Sequence, residues 1–454
     1  MKPSIPKGTR DFSSEIIFKR THIIQTIKRN FELFGFEPIE TTSLENLSTL
    51  NGKYGEEGDQ LTFKVLNNGD FLSDIDLKIL EEKNSKKLAS QISDKALRYD
   101  LTIPFARYIV QNQNSLYFPY KRYQIQTVWR ADRPQKGRFR EFLQCDADSI
   151  GSGSLWQEVE FILLYNAIFN DLNLKVELQL NNRKILLGLA EIAGIKDKLL
   201  DFTIALDKID KIGKEKVIEE LNSKGISNDS IEKIAFIFED TLDLPTLLLK
   251  LDNLFSENEI GKKGVEEINF ILKKLANHEL NSVEIKFNLT LARGLNYYTG
   301  IIFEVKSKQI AIGSIGGGGR YDDLTGIFGL DNMSGVGISF GLDRIFIVLD
   351  ELNLFPQEAK NSIQLMVLNL GEEEGEKSFL ITQQLRDRKI NVTFYPETTK
   401  IKKQLQFASN KKIPFILIIG KEELENNYFL LKNMVSGEQQ KITSLKEIEE
   451  ILLN

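Results

Sequence analysis

The stretch Gly335-Val-Gly-Ile-Ser-Phe-Gly-Leu-Asp-Arg344 decides how the chain is read. Val336, Ile338 and Phe340 alternate with Gly335, Gly337, Ser339 and Gly341, the period of a β-strand with one apolar face and one nearly bare face. Glycine weakens a strand, so a row of it along one face points to a ligand or another backbone lying close. The strand runs directly into an apolar helix, Leu342 to Leu349, with Arg344 in its first turn. A cation opposes the helix dipole there, yet the helix terminus and the arginine together attract an anion such as a phosphate. The plainer reading of this stretch alone is a glycine-rich edge strand with a surface arginine. Two pieces just upstream weigh against it: Leu291-Ala-Arg-Gly-Leu-Asn-Tyr-Tyr-Thr-Gly300 and Ile315-Gly-Gly-Gly-Gly-Arg-Tyr-Asp322.

A chain of 454 residues is long enough for two or three domains with substantial cores. Its 41% hydrophobic and 27% charged residues fit an ordinary globular protein. No run approaches 18 uncharged apolar residues, and the N-terminus lacks the apolar core of a signal peptide, so no membrane span and a cytoplasmic location are expected. The single cysteine, Cys145, excludes an internal disulfide framework and suits a reducing compartment. With one Cys and two His (His22 and His278), no Cys/His metal site can be assembled, and both histidines read as incidental. A net charge of −6 gives no global nucleic-acid signature, so an RNA partner would have to be held by local basic patches.

Residues 15 to 34 show helical periodicity that stops at Gly35. Short strands are expected at 36–40 and 61–66, a polar surface excursion at 70–95, and strands at 122–130 and 138–150. A long apolar helix follows at 154–170, then an alternating strand at 174–180. From about 184 to 280 the chain is rich in Lys, Glu, Leu and Ile with helical period, which reads as a helical insertion between two halves of a sheet domain. Strand signals return at 284–290 and 301–306. Beyond a linker at 356–362, residues 363–454 alternate strand and helix, the pattern of a small α/β domain.

There is no GxxxxGK[ST] loop and no strand–GxGxxG–helix unit, so P-loop and Rossmann sites are not expected. The densest polar region is 121–148, which reads as strand, basic loop, strand. In its second strand Arg140, Phe142, Gln144, Asp146 and Asp148 share one parity, opposite Phe139, Leu143, Cys145 and Ala147. That inverted pattern fits a wet, ligand-lined face; the plain alternative is an exposed sheet face with charge pairs. The loop Arg130 to Arg138 carries four basic residues shaped by Pro134 and Gly137, which suits a phosphate or a nucleic-acid end. A third piece, Leu97 to Arg107, is expected to put Asp100 and Thr102 on one strand face.

Taken together, these motifs resemble those of histidyl-tRNA synthetases, which are class II aminoacyl-tRNA synthetases. Lys7-Gly-Thr-Arg-Asp11 and Gly35 to Glu45 resemble the family's N-terminal signature and motif 1, residues 121–148 motif 2, and 335–344 motif 3. Arg293-Gly-Leu-Asn-Tyr-Tyr298 resembles the histidine motif that other class II synthetases do not share. The resemblance implies an α+β catalytic domain (1–355) built on a mainly antiparallel sheet, the helical insertion within it, and a C-terminal anticodon-binding α/β domain (363–454). It implies a histidine–tRNA ligase that uses ATP with Mg2+ as a substrate complex and no prosthetic group, acts on tRNA(His), and forms a homodimer. Arg130 and Arg293 would be catalytic, flanking the ATP α-phosphate. Phe142 would stack on adenine, and Arg138 and Arg344 would neutralise the outer phosphates. Asp100, Thr102 and Gln144 would take the α-ammonium of histidine. Asp148 and Tyr298 would pair with the imidazole nitrogens, with Tyr297 beside them.

Three positions depart from the family pattern. Thr42 stands where motif 1 usually has proline, Asp132 where bacterial motif 2 has glutamate, and Asn296 where the histidine motif has aspartate. The competing reading is a synthetase-like regulatory protein that binds histidine or tRNA without aminoacylating. Such paralogues typically lack the anticodon domain or lose ATP-site arginines, whereas Arg130, Arg293 and Arg344 are all present here.

Overall fold

The computed structural model describes residues 2–52, 55–73, 75–239, 243–292, 297–356 and 363–453. The chain divides into two compact units, 1–11 with 23–354 and 12–22 with 355–454. Of the expected linker, 357–362 lie outside the described residues.

The strands of the first unit are β1 (Glu37–Pro38), β2 (Leu44–Asn46), β3 (Lys64–Val65), β4 (Lys95–Leu97), β5 (Tyr120–Trp129) and β6 (Glu141–Ile150). They are followed by β7 (Val176–Asn182), β8 (Val283–Phe287), β9 (Ile301–Ser307), β10 (Ser314–Tyr321) and β11 (Gly335–Gly341). Eight of these make one sheet in the order β1-β5-β6-β11-β10-β9-β7-β8, while β2, β4 and β3 form a small separate sheet. The two outermost pairings of the large sheet, β1 with β5 and β7 with β8, are parallel; the five inner ones are antiparallel. Between β7 and β8 the chain leaves the sheet and forms a run of helices from Arg183–Ile192 to Glu259–Leu275.

The alternation in 335–341 produces a strand at the centre of the sheet rather than at its edge. Its apolar side is covered from below: Phe340 lies 4.9 Å from Tyr165, 5.8 Å from Phe169 and 5.9 Å from Phe31, ring centre to ring centre. These aromatic contacts tie the strand to the helix Trp156–Asp171 and to the Ile23–Leu33 part of the first helix. On the bare side, Gly337 pairs with Asp148 and Ser339 with Asp146 in β6, while Gly319 and Gly317 of β10 pair with the same two residues of β11. The run Gly316–Gly319 gives no strand signal in the sequence, because glycine is a poor strand former. Its reason is spatial: a Cβ on Gly318 would stand 2.0 Å from the Gly337 carbonyl oxygen, and one on Gly319 2.6 Å from that of Ile301.

One buried pair fastens β10 to the helix beneath it. Arg320 donates to both carboxylate oxygens of Glu158 at 2.5 and 2.7 Å and to Ser334 Oγ at 2.7 Å. The bidentate geometry offsets the cost of burying both charges.

In the second unit β12 (Leu365–Val367) lies parallel to β13 (Val392–Phe394) and β14 (Phe415–Ile418), with β15 (Phe429–Asn433) and β16 (Gln439–Ile442) antiparallel beyond them. The crossover helices Glu372–Asp387 and Ile401–Asn410 follow β12 and β13, as parallel connections require. Also in this unit, the His22 ring meets Phe355 edge-on at 6.4 Å.

Because the atoms opposing it are backbone, Gly318→Ala is expected to destabilise the first unit by about 1–3 kcal/mol. Thermal unfolding checks this: an unchanged Tm would contradict the close strand packing described here.

Candidate functional site

The site is built on the bare face of the large sheet. On β6, Gln144, Asp146 and Asp148 point the same way at successive alternate positions, roughly 7 Å apart along the strand. Asp148 is buried and doubly held: Arg122 Nη2 of β5 stands 2.8 Å from Oδ2, and Tyr321 Oη of β10 donates to Oδ1 at 2.6 Å. Arg122 is itself fully buried and lies 4.2 Å above the Phe105 ring. Burial pushes the Asp148 carboxyl above its ordinary range, with Arg122 and Tyr321 opposing the shift. Asp146 is also fully enclosed. Burial is the largest cause that lifts it to about 7, Asp148 and Asp100 add to the rise, and Arg122 and Ser339 work against it. Gln144 Nε2 donates to Ser339 Oγ at 3.2 Å. A Cβ on Gly337 would sit 1.9 Å from Asp148 Oδ1, so glycine at that position makes room for the carboxylate.

Asp146, Asp148, Thr102, Tyr297, Tyr298, Tyr321, Gly317, Gly337 and Ser339 all line one small cavity over this face. Tyr297 and Tyr298 have ring centres 4.7 Å apart. Burial drives the Tyr297 hydroxyl well above its ordinary range, with Tyr298 and Asp100 adding to the rise and a hydrogen bond with Thr102 opposing it. Asp100 and Thr102 do reach this region, but not as neighbours on a strand. Asp100 lies in the turn after β4 and accepts the Ile103 amide at 3.2 Å, while Thr102 opens the helix Thr102–Asn112. Asp and Thr just ahead of Pro104 make a helix start, since proline in a first turn leaves no amide wasted and the carboxylate satisfies one that has no partner within the helix. The expectation of a strand at 100–102 is therefore corrected.

Farther along β6 stands Phe142. The Arg130 guanidinium lies 5.3 Å from its ring centre and 4.3 Å from that of Tyr99, and Arg130 Nε donates to the Tyr99 carbonyl at 3.0 Å. The basic loop after Arg130 meets the start of the helix Leu342–Glu351: Arg344 Nε donates to the Gly137 carbonyl at 3.0 Å and Nη1 to that of Ser314 at 2.6 Å. Arg138, exposed, pairs with Asp132 at 2.9 Å. The N-terminal Lys7–Asp11 segment straps these parts together. Arg10 stacks 3.2 Å above the Phe139 ring and pairs with Asp343 at 2.7 Å, while the Gly8 carbonyl accepts the Arg140 amide at 2.9 Å. Arg140 stands just outside β6, and its side chain turns back to the carbonyls of Asp132 and Lys7 rather than joining the face of Asp146. Arg293 and Asn296 lie outside the described residues.

The amino-acid sequence matches two family models, one described as histidyl-tRNA synthetase over residues 82–345 and one as anticodon binding domain over 364–454. It is 54% identical over 443 residues to a histidine–tRNA ligase of Christiangramia forsetii, covering 97% of both chains. The histidine–tRNA ligase of Flavobacterium johnsoniae is also 54% identical, over 458 residues and 96% of each chain. The chain belongs to the histidyl-tRNA synthetase family. Among solved structures, the histidyl-tRNA synthetase of Nostoc sp. superposes with a TM-score of 0.83 at 30% identity, over 100% of this chain and 99% of that one.

Within that family frame, several residues in and around the cavity carry contacts that no motif pattern assigned to them. Arg122 was hidden in a strand that reads as merely basic, although its hairpin register opposite Asp148 would have revealed it. Tyr321, Ser339 and Tyr99 likewise act through long-range pairings that only the fold supplies. Arg122→Met is expected to cost about 3–5 kcal/mol, because Asp148 is then left buried without its cation. Adding Asp148→Asn should recover part of the loss in a denaturant double-mutant cycle; strictly additive effects would contradict the pairing.

Proposed function

We propose that the acid-lined cavity holds histidine and that the arginine rim along β6 holds ATP. The chain thereby carries out the ligation of histidine to tRNA that its family performs. The observation that carries this reading is the layout of β6: carboxylates over the bare glycine strands at one end, Phe142 and Arg130 at the other.

In this assignment Asp100, Thr102 and Gln144 take the α-ammonium. The imidazole lies between Asp148 and Tyr298, with Tyr297 alongside. Arg122 and Tyr321 leave Asp148 oriented and still able to accept, since a carboxylate offers about four acceptor sites and these two donors use two. A pocket that satisfies both imidazole nitrogens rejects an apolar isostere by roughly 10⁴-fold, because its buried groups would go unpaired. Phe142 stacks on adenine, Arg130 holds the α-phosphate, and Arg138 and Arg344 balance the outer phosphates of ATP, which enters as its Mg2+ complex. Arg293, assigned from its motif alone, supplies positive charge at the α-phosphate from the other side.

No protein nucleophile is needed. A histidine carboxylate oxygen attacks the α-phosphorus, the new P–O bond forms, and the bond to the β-phosphate breaks with its electrons leaving on pyrophosphate. A hydroxyl of the terminal tRNA ribose then attacks the acyl carbon of the adenylate, and AMP departs. Catalysis rests on positioning and on arginines aimed at developing charge. The second unit would take the anticodon end, with Lys400, Lys402, Lys403, Lys411 and Lys412 as candidate phosphate contacts, and the active form would be a homodimer working in the cytoplasm. No described helix is long and apolar enough to cross a membrane. The relatives at 54% identity are histidine–tRNA ligases, which speaks for the ligase over the alternative of an inactive regulatory protein.

Steady-state aminoacylation of tRNA separates the roles. Asp148→Asn should raise KM for histidine at least tenfold while KM for ATP changes less than about threefold. Arg130→Ala and Arg293→Ala should each lower adenylate formation by roughly 10²–10³ with histidine binding largely kept. A parallel loss of both substrates in Asp148→Asn, or equal losses of binding and rate in the arginine variants, would contradict the assignment.

A further inference from the structure

One buried group of the cavity has no part in the assignment above. Asp146 is 3% exposed, lines the cavity, and its Oδ1 has no hydrogen-bond partner among the described residues. An enclosed carboxylate oxygen without a donor is costly and calls for an explanation. Its neighbours point to one. Gln144 Oε1, two residues back on β6, is a second buried acceptor without a partner, and Gln124 Oε1, in register with Asp146 on β5, is a third. The amide orientations follow from their partners: the Ser339 hydroxyl gives its proton to Asp146 and so accepts from Gln144 Nε2, while Gln126 Oε1, which takes the Thr41 amide, accepts from Gln124 Nε2. Neighbouring buried oxygens that lack donors suit a guest that is rich in donors. The charge balance agrees, because Asp146 faces the carboxylates of Asp148 and Asp100 as well as the Arg122 guanidinium.

We infer that Asp146 is a further substrate-binding residue, whose Oδ1 accepts an N–H of the amino acid's α-ammonium group next to Gln144. This deepens the reading of the cavity as the histidine site and rests on it. The ammonium offers three donors and one positive charge, the complement of the acceptors on this face. The imidazole end is already served by Asp148, which Arg122 and Tyr321 hold in place two residues farther along β6.

A pH signature follows. Among the described residues, the groups that act on the Asp146 carboxyl are Arg122 on β5, Asp148 on its own strand, Ser339 on β11, and Asp100 in the turn after β4. Together with burial they leave the carboxyl protonated below about pH 7. Binding an ammonium favours the ionised form, so the proton is released and histidine affinity falls as pH drops through 7, by up to tenfold per unit. The sign for folding is the opposite. An acid whose folded pKa is raised from 3.8 to about 7 costs stability as pH rises through that window, so replacing it by the neutral isostere should not destabilise the protein at pH 8.

Isothermal titration of the full chain tests this with two ligands, histidine and 3-(imidazol-4-yl)propionate, which lacks the amine. At pH 8, Asp146→Asn is expected to weaken histidine by roughly 10- to 100-fold, the effect of losing a charged hydrogen bond. The same variant should change binding of the deamino ligand less than about twofold. The wild-type to variant ratio for histidine should shrink toward one between pH 8 and pH 6, while the Tm of the variant at pH 8 is not lowered. Asp146→Ala carries the same test should the Asn variant not fold. Unchanged histidine affinity, equal losses for both ligands, or a ratio that ignores pH would each overturn the assignment while leaving the cavity as the histidine site. A wild-type protein that binds no histidine would overturn both.

Discussion

Arg122 and Asp148 form the constraint on which the rest of the site depends. A guanidinium and a carboxylate buried together in the middle of a sheet are stable only with their geometry fixed. Here β5 and β6 fix it by direct register, Tyr321 adds a donor from β10, and Gly337 leaves the space that the carboxylate fills. Each of these requirements reaches a different strand. The glycines of β10 and β11, the aromatic packing under Phe340 and the Arg320–Glu158 fastening are thus parts of one arrangement, which holds charged groups on a face otherwise stripped of side chains.

That arrangement explains why the sheet serves as a binding surface. Along β6 the residues on this face change from ring and guanidinium contact at Phe142 to buried acceptors at Gln144 and Asp146 and an oriented carboxylate at Asp148. A single strand thereby presents a gradient of chemistry over roughly 20 Å, as residues at two-residue spacing on one face must. The N-terminal strap closes the far end, where Arg10 is stacked on Phe139 and paired with Asp343, next to the arginine that opens the last helix of the unit.

Much of this was legible in the sequence, because periodicity carries both fold and face. The alternation of 335–341, the shared parity of Phe142, Gln144, Asp146 and Asp148, and the helical run of 184–280 follow directly from side-chain spacing. What was not legible depends on partners distant in sequence. Four consecutive glycines read as no element at all, since the close contacts that call for them come from neighbouring strands, the Gly337 carbonyl at Gly318 and the Ile301 carbonyl at Gly319. Asp100 and Thr102 read as strand because the helix start they form is marked only by Asp, Thr and Pro in a short apolar run. Arg122 read as one more basic residue, because its value lies in a pairing that only the hairpin creates.

The central claim is that this face selects histidine and activates it with ATP. Amino-acid-dependent ATP–pyrophosphate exchange, screened over the twenty amino acids in the absence of tRNA, addresses it most directly. The account predicts exchange with histidine alone. Exchange with another amino acid, or none with histidine at saturating ATP and Mg2+, would contradict it.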